Sequence, residues 1–379
     1  MKLAARFSDW LETRFCTPAY GAWILIGIAL SFFAAATNTM AGWLYVISGL
    51  IFALLSLGAI LALRSLRELK IRRLPISPVS VGEQLTLELE IHNSTAKAKS
   101  LIQVYDLPRA PFTPPQPKAI ESIPPGETHH WLYFLPAKRR GVYRWHKVQT
   151  RSGAPLGLFW CRRTHQAPAF ATVYPQVLSL ASCPLIDNLG QKNREQLDSN
   201  SSYQSATEGM TRSLRPYRQG DPTRLIHWRS SARYGELRVR ELEIVAGSQE
   251  VTIALDNATS WDGENFEAAV VAAASLYCYA SRHQFHVSLW TADAGLQQGN
   301  RAILEVLARV DFGVENTASP PPSGAIIWLT ATPSNLESLP LGSRWLLFAP
   351  LDKLMPTHSE GLVIDYEQSL SSQLQQVVK

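Results

Sequence analysis

Residues 20–63 read YGAWILIGIALSFFAAATNTMAGWLYVISGLIFALLSLGAILAL, without a single charge. Two stretches within it are apolar throughout, residues 20–36 and 43–63, joined by the short neutral link Thr37–Gly42. A helix needs about 20 apolar residues to cross a bilayer, with about 17 as the lower limit. The pair therefore reads as a transmembrane hairpin. A signal peptide is the alternative for the first stretch, with Ala34-Ala35-Ala36 mimicking a cleavage site, but a second span follows almost at once. Lys2, Arg6 and Arg14 precede the hairpin, and Arg64, Arg67, Lys70, Arg72 and Arg73 follow it. The positive-inside rule then places both flanks in the cytoplasm. Trp23, Trp43 and Tyr45 sit near span ends, where amphipathic rings favour the interface. Residues 1–74 are thus expected to anchor the chain as a multi-pass protein of the cell (inner) membrane, with the bulk of it cytoplasmic.

Composition agrees with a chain partly in lipid. Of 379 residues only 18% are charged, and 11 are tryptophan. The length leaves room for two folded domains beyond the anchor. Cys16, Cys161, Cys183 and Cys278 are scattered, with no Cys-x-x-Cys pair, so neither a metal-ligand spacing nor a disulfide framework follows.

Downstream of the anchor the pattern has period two. Leu85, Leu87, Leu89 and Ile91 alternate with Thr86, Glu88 and Glu90, as a half-buried strand does. Residues 100–105, 128–134 and 141–150 read the same way, with turn signals at Pro124–Glu127 and Lys138–Gly141. Short strands at this spacing predict a β-sandwich over residues 75–176. Residues 177–209 are polar and rich in Ser, Asn and Gln, and read as a linker.

From residue 210 onwards the pattern becomes α/β. Residues 251–255, VTIAL, form a continuous apolar run ending at Asp256, as a buried parallel strand would. A helix is expected over 263–283, a strand over 285–290, a helix over 300–310, and strands near 325–329, 344–348 and 362–364. Strands alternating with helices argue for a doubly wound sheet, taken as one domain over residues 210–379.

This domain opens on a basic stretch. Between Arg212 and Arg240 lie eight arginines and only two acids, Asp221 and Glu236, an excess of six positive charges in a chain of net +5. Tyr217, Trp228 and Tyr234 are interleaved, with a turn signal at Gly220-Asp221-Pro222. The residues Leu214, Arg215, Tyr217, Gly220, Asp221, Arg224, Ile226, Trp228, Ala232 and Arg233 resemble the signature of the bacterial family called domain of unknown function 58. Gly141-Val142-Tyr143 and Ala154-Pro155-Leu156-Gly157-Leu158-Phe159 resemble two further family segments, although the family's aspartate is replaced by Ala154.

The resemblance implies a C-terminal domain similar to the von Willebrand factor type A fold. There Asp-x-Ser-x-Ser follows the first strand and holds Mg or another divalent cation through oxygen ligands. This chain keeps Asp256 and Ser260 but has Ala258 where the first serine belongs, so the site is degenerate. Asn257 or Thr259 could substitute only by rotating, and Asp293 or Thr330 could contribute from later loops. The competing reading is that Asp256 caps the turn or the next helix.

Arg215, Tyr217, Gly220, Asp221, Arg224, Trp228 and Arg233 are the candidate binding residues. Asp221 is expected to pair with Arg215 or Arg224, either as a structural network or within a docking surface for acidic groups. His227 reads as packed against its neighbours. No Gly-x-Ser-x-Gly, Gly-x-x-x-x-Gly-Lys-Ser/Thr or His-Glu-x-x-His motif occurs, so no catalytic residue is assigned and the expectation is a non-enzyme. The leading reading is a membrane-anchored scaffold or adaptor, and the resemblance implies a MoxR-type AAA+ ATPase as partner in complex assembly. Its alternative is binding of nucleic acid or anionic lipid by the arginine patch. A metal-dependent enzyme at Asp256 comes last, because no acid–base pair accompanies it.

Overall fold

Both uncharged runs are helical in the computed structural model, which describes residues 12, 15–189, 210–218, 221, 223–243, 250–315, 324–336, 338–340, 342–348, 360–365 and 367–376. The chain forms two compact units, Met1–Tyr174 and Pro175–Lys379.

In the first unit, helix α1 spans Tyr20–Thr39 and α2 spans Gly42–Ser65. The link is only Met40 and Ala41, shorter than the six residues expected, and Met40 turns the chain with φ 52°. The helix runs on because Thr37 and Thr39 donate their hydroxyls to the carbonyls of Ala34 and Ala35, each at 2.7 Å. Neutral polar residues are thereby satisfied within the helix. At 1.5 Å per residue α1 is about 30 Å long, which matches a hydrocarbon core. Ala22, Ala29 and Ala36, seven residues apart, are fully buried, and Ser48 Oγ donates to the Ala29 carbonyl at 2.9 Å. Small residues let two helices approach closely, as membrane pairs do. Larger apolar side chains face outwards, with Trp23 61% and Leu50 70% exposed, unlike those of a soluble core helix. Both helices are long and apolar enough to cross a membrane.

Among the described residues nine strands complete this unit: β1 (Thr17–Pro18), β2 (Leu69–Arg73), β3 (Val79–Ser80), β4 (Gln84–Asn93), β5 (Lys99–Asp106), β6 (Lys118–Ile123), β7 (Thr128–Pro136), β8 (Gly141–Ser152) and β9 (Phe159–Tyr174). One sheet runs β1-β9-β8-β5-β6 with β3 beside β9, and the other runs β2-β4-β7. Their inner faces share one core, with Leu85, Leu87, Leu89 and Ile91 on one sheet and Val104, Trp145 and Val148 on the other. The basic flank after α2 is itself strand β2, so Lys70 and Arg72 point outwards while Arg73 turns into the core. There Arg73 Nη1 and Nη2 donate to the two Asp106 carboxylate oxygens at 3.0 and 2.8 Å. Tyr133 Oη and Trp145 Nε1 donate to the same carboxylate. Arg73 and Tyr133 come from the β2-β4-β7 sheet, and Asp106 and Trp145 from the other, so this cluster ties the sheets in a fixed register. Burial raises the Tyr133 phenol pKa, holding it as a donor.

The second unit begins in what the sequence suggested was a linker. Leu180, Cys183, Leu185, Ile186 and Leu189 are instead buried in its core, with a helical turn over 184–189. The polar composition that suggested a linker is concentrated further on, in residues 190–209, which lie outside the described residues. Then come β10 (Met210–Pro216), α3 (Trp228–Tyr234), β11 (Arg238–Glu243), β12 (Glu250–Leu255), α4 (Gly263–Arg282), β13 (His286–Thr291), β14 (Gly295–Gln298), α5 (Asn300–Arg309), β15 (Ile326–Thr330), β16 (Arg344–Leu347), β17 (Glu360–Val363) and α6 (Leu370–Leu374).

Strands β10 and β11 pair as a separate antiparallel ribbon. The other six form a sheet in the order β14-β13-β12-β15-β16-β17, parallel except for β14. Alternate strand residues feed two cores. Val251, Ile253, Leu255, Ile327 and Leu346 meet α4, α5 and α6, whereas Ala254, Trp290, Trp328 and Trp345 form the opposite face with Leu336. Burial on both faces is why β12 reads as an unbroken apolar run. Gly361 is required where it stands, because a Cβ there would fall inside the Trp345 ring.

Candidate functional site

The basic stretch is the β10–β11 ribbon with a 3-10 turn (Thr223–Leu225) and α3 inserted between its strands. Arg215, near the end of β10, donates from Nη1 and Nη2 to the two Asp221 oxygens at 2.7 and 2.8 Å. The Arg218 backbone N–H adds a third bond at 2.8 Å, and the Asp221 N–H donates back to the Arg218 carbonyl at 3.0 Å. A planar guanidinium meeting a carboxylate along two parallel bonds fixes direction as well as distance. Led by the Arg215 bonds, these contacts hold the Asp221 carboxyl down to about 2. Asp221 and Arg215 are therefore one clamp that closes the excursion from β10. Of the two partners expected for Asp221, the structure pairs it with Arg215. Arg224 lies in the 3-10 turn, with its side chain outside what is described, and Gly220 is outside the described residues.

Helix α3 is seven residues long and is stabilised at both ends. The His227 Nδ1 accepts from the Ser230 N–H at 3.2 Å, so this histidine is an N-cap. Gly235 ends the helix with φ 73° and returns its N–H to the Ser231 carbonyl, a left-handed turn that suits glycine. The Ser231 hydroxyl donates to the His227 carbonyl at 3.1 Å and accepts from the Arg238 N–H at 2.9 Å, stitching the helix to β11. Ile226 and Val239 are buried beneath. The Arg238 guanidinium lies over the Tyr234 ring, 4.1 Å from its centre, which fixes that ring.

Around this braced helix, the α3 platform, large apolar side chains stand in solvent. Trp228 is 66% exposed, Tyr234 58% and Leu237 45%, with Arg229 and Arg233 exposed beside them. Among the predicted residues, Arg215 and Asp221 are half-buried against each other, Trp228 and Arg233 face solvent, and Tyr217 is half-buried, tied through its N–H to the Leu237 carbonyl at 2.8 Å. Tyr234 and Leu237 were not among the site candidates. Tyr234 sits six residues from Trp228, a spacing that puts two rings on different sides of an ideal helix, and only its pairing with Arg238 shows why it stays outside.

At the C-terminal edge of the parallel strands, Asp256 is buried and its Oδ2 accepts from Thr330 Oγ1 at 3.2 Å. Its carbonyl accepts from Trp261 Nε1 at 2.7 Å and from Thr259 Oγ1 at 3.4 Å. Asn257 is used in full: its Oδ1 accepts from the Ala292 N–H at 2.8 Å, and its Nδ2 donates to Asp293 Oδ1 and the Asp311 carbonyl, each at 3.0 Å. Neither Asn257 nor Thr259 is oriented to replace the hydroxyl missing at Ala258, and Ser260 is exposed. With Ala258 bringing no oxygen and Ser260 turned to solvent, the chain fixes fewer of the oxygens around a Mg or Ca ion here than the resembled motif would. Among the described residues no cluster of three His, Cys, Asp or Glu side chains converges. Asp256 and Ser260 therefore fall short of the resembled motif, and among the described residues this edge is a hydrogen-bonded tie among three loops.

No curated protein matches the chain. Among solved structures it is similar to a CARDB domain from Pyrococcus furiosus, at 13% identity over 28% of this chain and 94% of that one, with a TM-score of 0.21. A β-glucosidase from Listeria innocua gives 16% identity over 30% and 16%, with a TM-score of 0.20. A protein of unknown function from Porphyromonas gingivalis W83 gives 14% over 30% and 52%, with a TM-score of 0.21. Likenesses this weak carry no assignment. Residues 213–326, from the clamp to the first residue of β15, match the family described as "Protein of unknown function DUF58", which supports placing the chain in that family.

Proposed function

We propose that this chain is a membrane-anchored adaptor whose α3 platform docks an acidic protein surface on the cytoplasmic side of the cell membrane. The observation that carries this reading is the division of labour in the basic stretch. Arg215, Asp221, His227 and Ser231 bond to one another's segments, while Trp228, Tyr234 and Leu237 stay in solvent with Arg229 and Arg233 beside them. Aromatic anchors ringed by arginine are the composition of protein-binding hot spots. Two apolar helices of bilayer length support the anchor, and basic flanks support a multi-pass arrangement with the bulk of the chain in the cytoplasm.

We read the two facing antiparallel sheets as a β-sandwich. We read the six-stranded sheet as type A-like, because its order by appearance is 3-2-1-4-5-6 with the third strand reversed. A MoxR-type AAA+ ATPase is the partner this reading favours, with a role in complex assembly. Binding of purified ATPase to full-length protein in detergent, with and without nucleotide, tests it. Trp228→Ala should weaken binding by about 2 kcal/mol, roughly thirtyfold. No detectable ATPase binding in any nucleotide state sinks the proposal. Retention of nucleic acid or anionic lipid alone, lost steeply with salt, supports the arginine patch as an electrostatic binder instead.

A further inference from the structure

The β8–β9 turn lies against the base of the helix hairpin. A Cβ placed on Gly58 of α2 would stand 3.5 Å from both Leu156 Cδ1 and Phe159 Cδ2, and one on Gly21 of α1 would stand 3.7 Å from Leu158 Cδ2. The Leu158 carbonyl accepts from the Ala19 N–H at 2.7 Å. Gly58 precedes Ser65 by seven residues, which places it about 10 Å inside the C-terminal end of α2. Leu156 therefore reaches up the side of the helix pair, not merely to its foot. Leu156 is nonetheless 46% exposed, next to exposed Pro155 and Gly157.

Resting on the reading that α1 and α2 cross a bilayer, we propose that the elbow Gly153–Trp160 inserts into the boundary between headgroups and hydrocarbon as a third membrane contact. Its chemistry suits that depth. The sequence Gly-Ala-Pro-Leu-Gly-Leu-Phe-Trp carries no charge, and charge resumes at Arg151 and Arg162 on either side. Those two arginines are held on Glu12, at 2.6 and 3.4 Å, and Arg151 lies over the Trp160 ring, 4.4 Å from its centre. An apolar tip above a collar of arginine and tryptophan is the distribution that a membrane interface selects. Lipid penalises open backbone donors. Here the Gly157 N–H is taken by the Gly153 carbonyl at 2.8 Å, the Ala154 N–H by Ser152 Oγ at 3.1 Å, and Pro155 has none. Phe15, Tyr20 and Trp23, just before and within the first turn of α1, are exposed as well.

The test is site-specific photocrosslinking of the full-length protein in vesicles of phosphatidylethanolamine and radiolabelled phosphatidylglycerol. A benzophenone side chain replaces Leu156, Leu50 on the outer face of α2, or Leu132 on the exposed face of β7. The expected result is radiolabelled lipid on the Leu156 and Leu50 proteins and none on the Leu132 protein. Label at Leu50 with none at Leu156, or a Leu156 adduct to protein instead of lipid, overturns the elbow while leaving the anchor standing. No label at either position overturns the anchor and the elbow with it.

Discussion

Replacing Asp106 by alanine should be the most damaging single change in the first unit. The carboxylate is fully buried, as is Arg73, with side-chain exposures of 0% and 1%. It accepts from Arg73 twice, from Tyr133, from Trp145, and from the Leu107 N–H at 2.9 Å. Alanine leaves a guanidinium in the core with only the Ala167 carbonyl at 3.4 Å and the Tyr133 hydroxyl as acceptors. Breaking a buried pair from one side costs about 3–5 kcal/mol, because the remaining charge is uncompensated. That is a large share of a domain stability of about 5–15 kcal/mol. With a urea slope of about 2 kcal/mol per molar, the midpoint should fall by about 2 M. Pulse proteolysis of detergent-solubilised protein, following cleavage within the first unit, reads this directly. The double replacement Arg73→Met with Asp106→Leu removes both charges and should recover part of the loss, the remainder coming from the Tyr133, Trp145 and Leu107 donors left without the carboxylate. If Asp106→Ala shifts the midpoint by less than about 0.5 M, or if the double variant is no better than the single, the reasoning about an uncompensated core charge is wrong.

Four further outcomes follow from the second unit and the hairpin. Asn257→Ala should cost about 2–3 kcal/mol in thermal unfolding, since it orphans the buried Ala292 N–H and releases two loop contacts. Asp221 should titrate by carbon NMR near 2 in the wild type and move up toward its ordinary 3.8 in Arg215→Gln. Because its folded pKa is depressed, the clamp's contribution is complete above about pH 4 and disappears as pH falls through the folded value; an unchanged midpoint in Arg215→Gln would refute the pairing. Gly361→Ala should destabilise the β16–β17 edge by about 1–3 kcal/mol through overpacking against Trp345, seen as faster amide exchange there. Ala29→Leu should splay the helix pair and abolish the Ser48 bond, raising protease access to the 40–41 link, whereas Leu50→Ala on the outer face should not.

Patterns with a short period were legible in the sequence. The alternation at Leu85–Ile91 became β4, and the VTIAL run became a strand buried on both faces. The helix over 263–283 ended one residue early, at Arg282. What escaped was set by partners distant in sequence. Strand β2 looked like a basic flank because nothing local reveals that Asp106 waits for Arg73. Leu180–Leu189 was absorbed into the linker because the long Ser-, Asn- and Gln-rich run after it dominates the window, although the stretch itself is mostly apolar. The sixteen-residue β9 was missed because Arg162, Arg163, Thr164 and Gln166 break the alternation where the strand is half-exposed. At the candidate site the identities of Arg215, Asp221 and Trp228 were readable, but their opposite roles were not. Only the three-dimensional pairing separates the arginine that braces the turn from those that face solvent. At Asp256 the missing serine was visible in sequence, while the commitment of Asn257 to three backbone and side-chain partners was not.

If the α3 platform is a docking face, its partner must leave when the exposed rings are removed. The most direct measurement is affinity capture of the full-length protein from gently solubilised native membranes, in ATP and in ADP, comparing wild type with Trp228→Ala/Tyr234→Ala. Both side chains are exposed, so the variant should keep its fold, confirmed by an unchanged unfolding midpoint. An AAA+ ATPase should be captured with the wild type in at least one nucleotide state and be lost from the variant. An ATPase retained undiminished by the folded variant would contradict the docking role of this face.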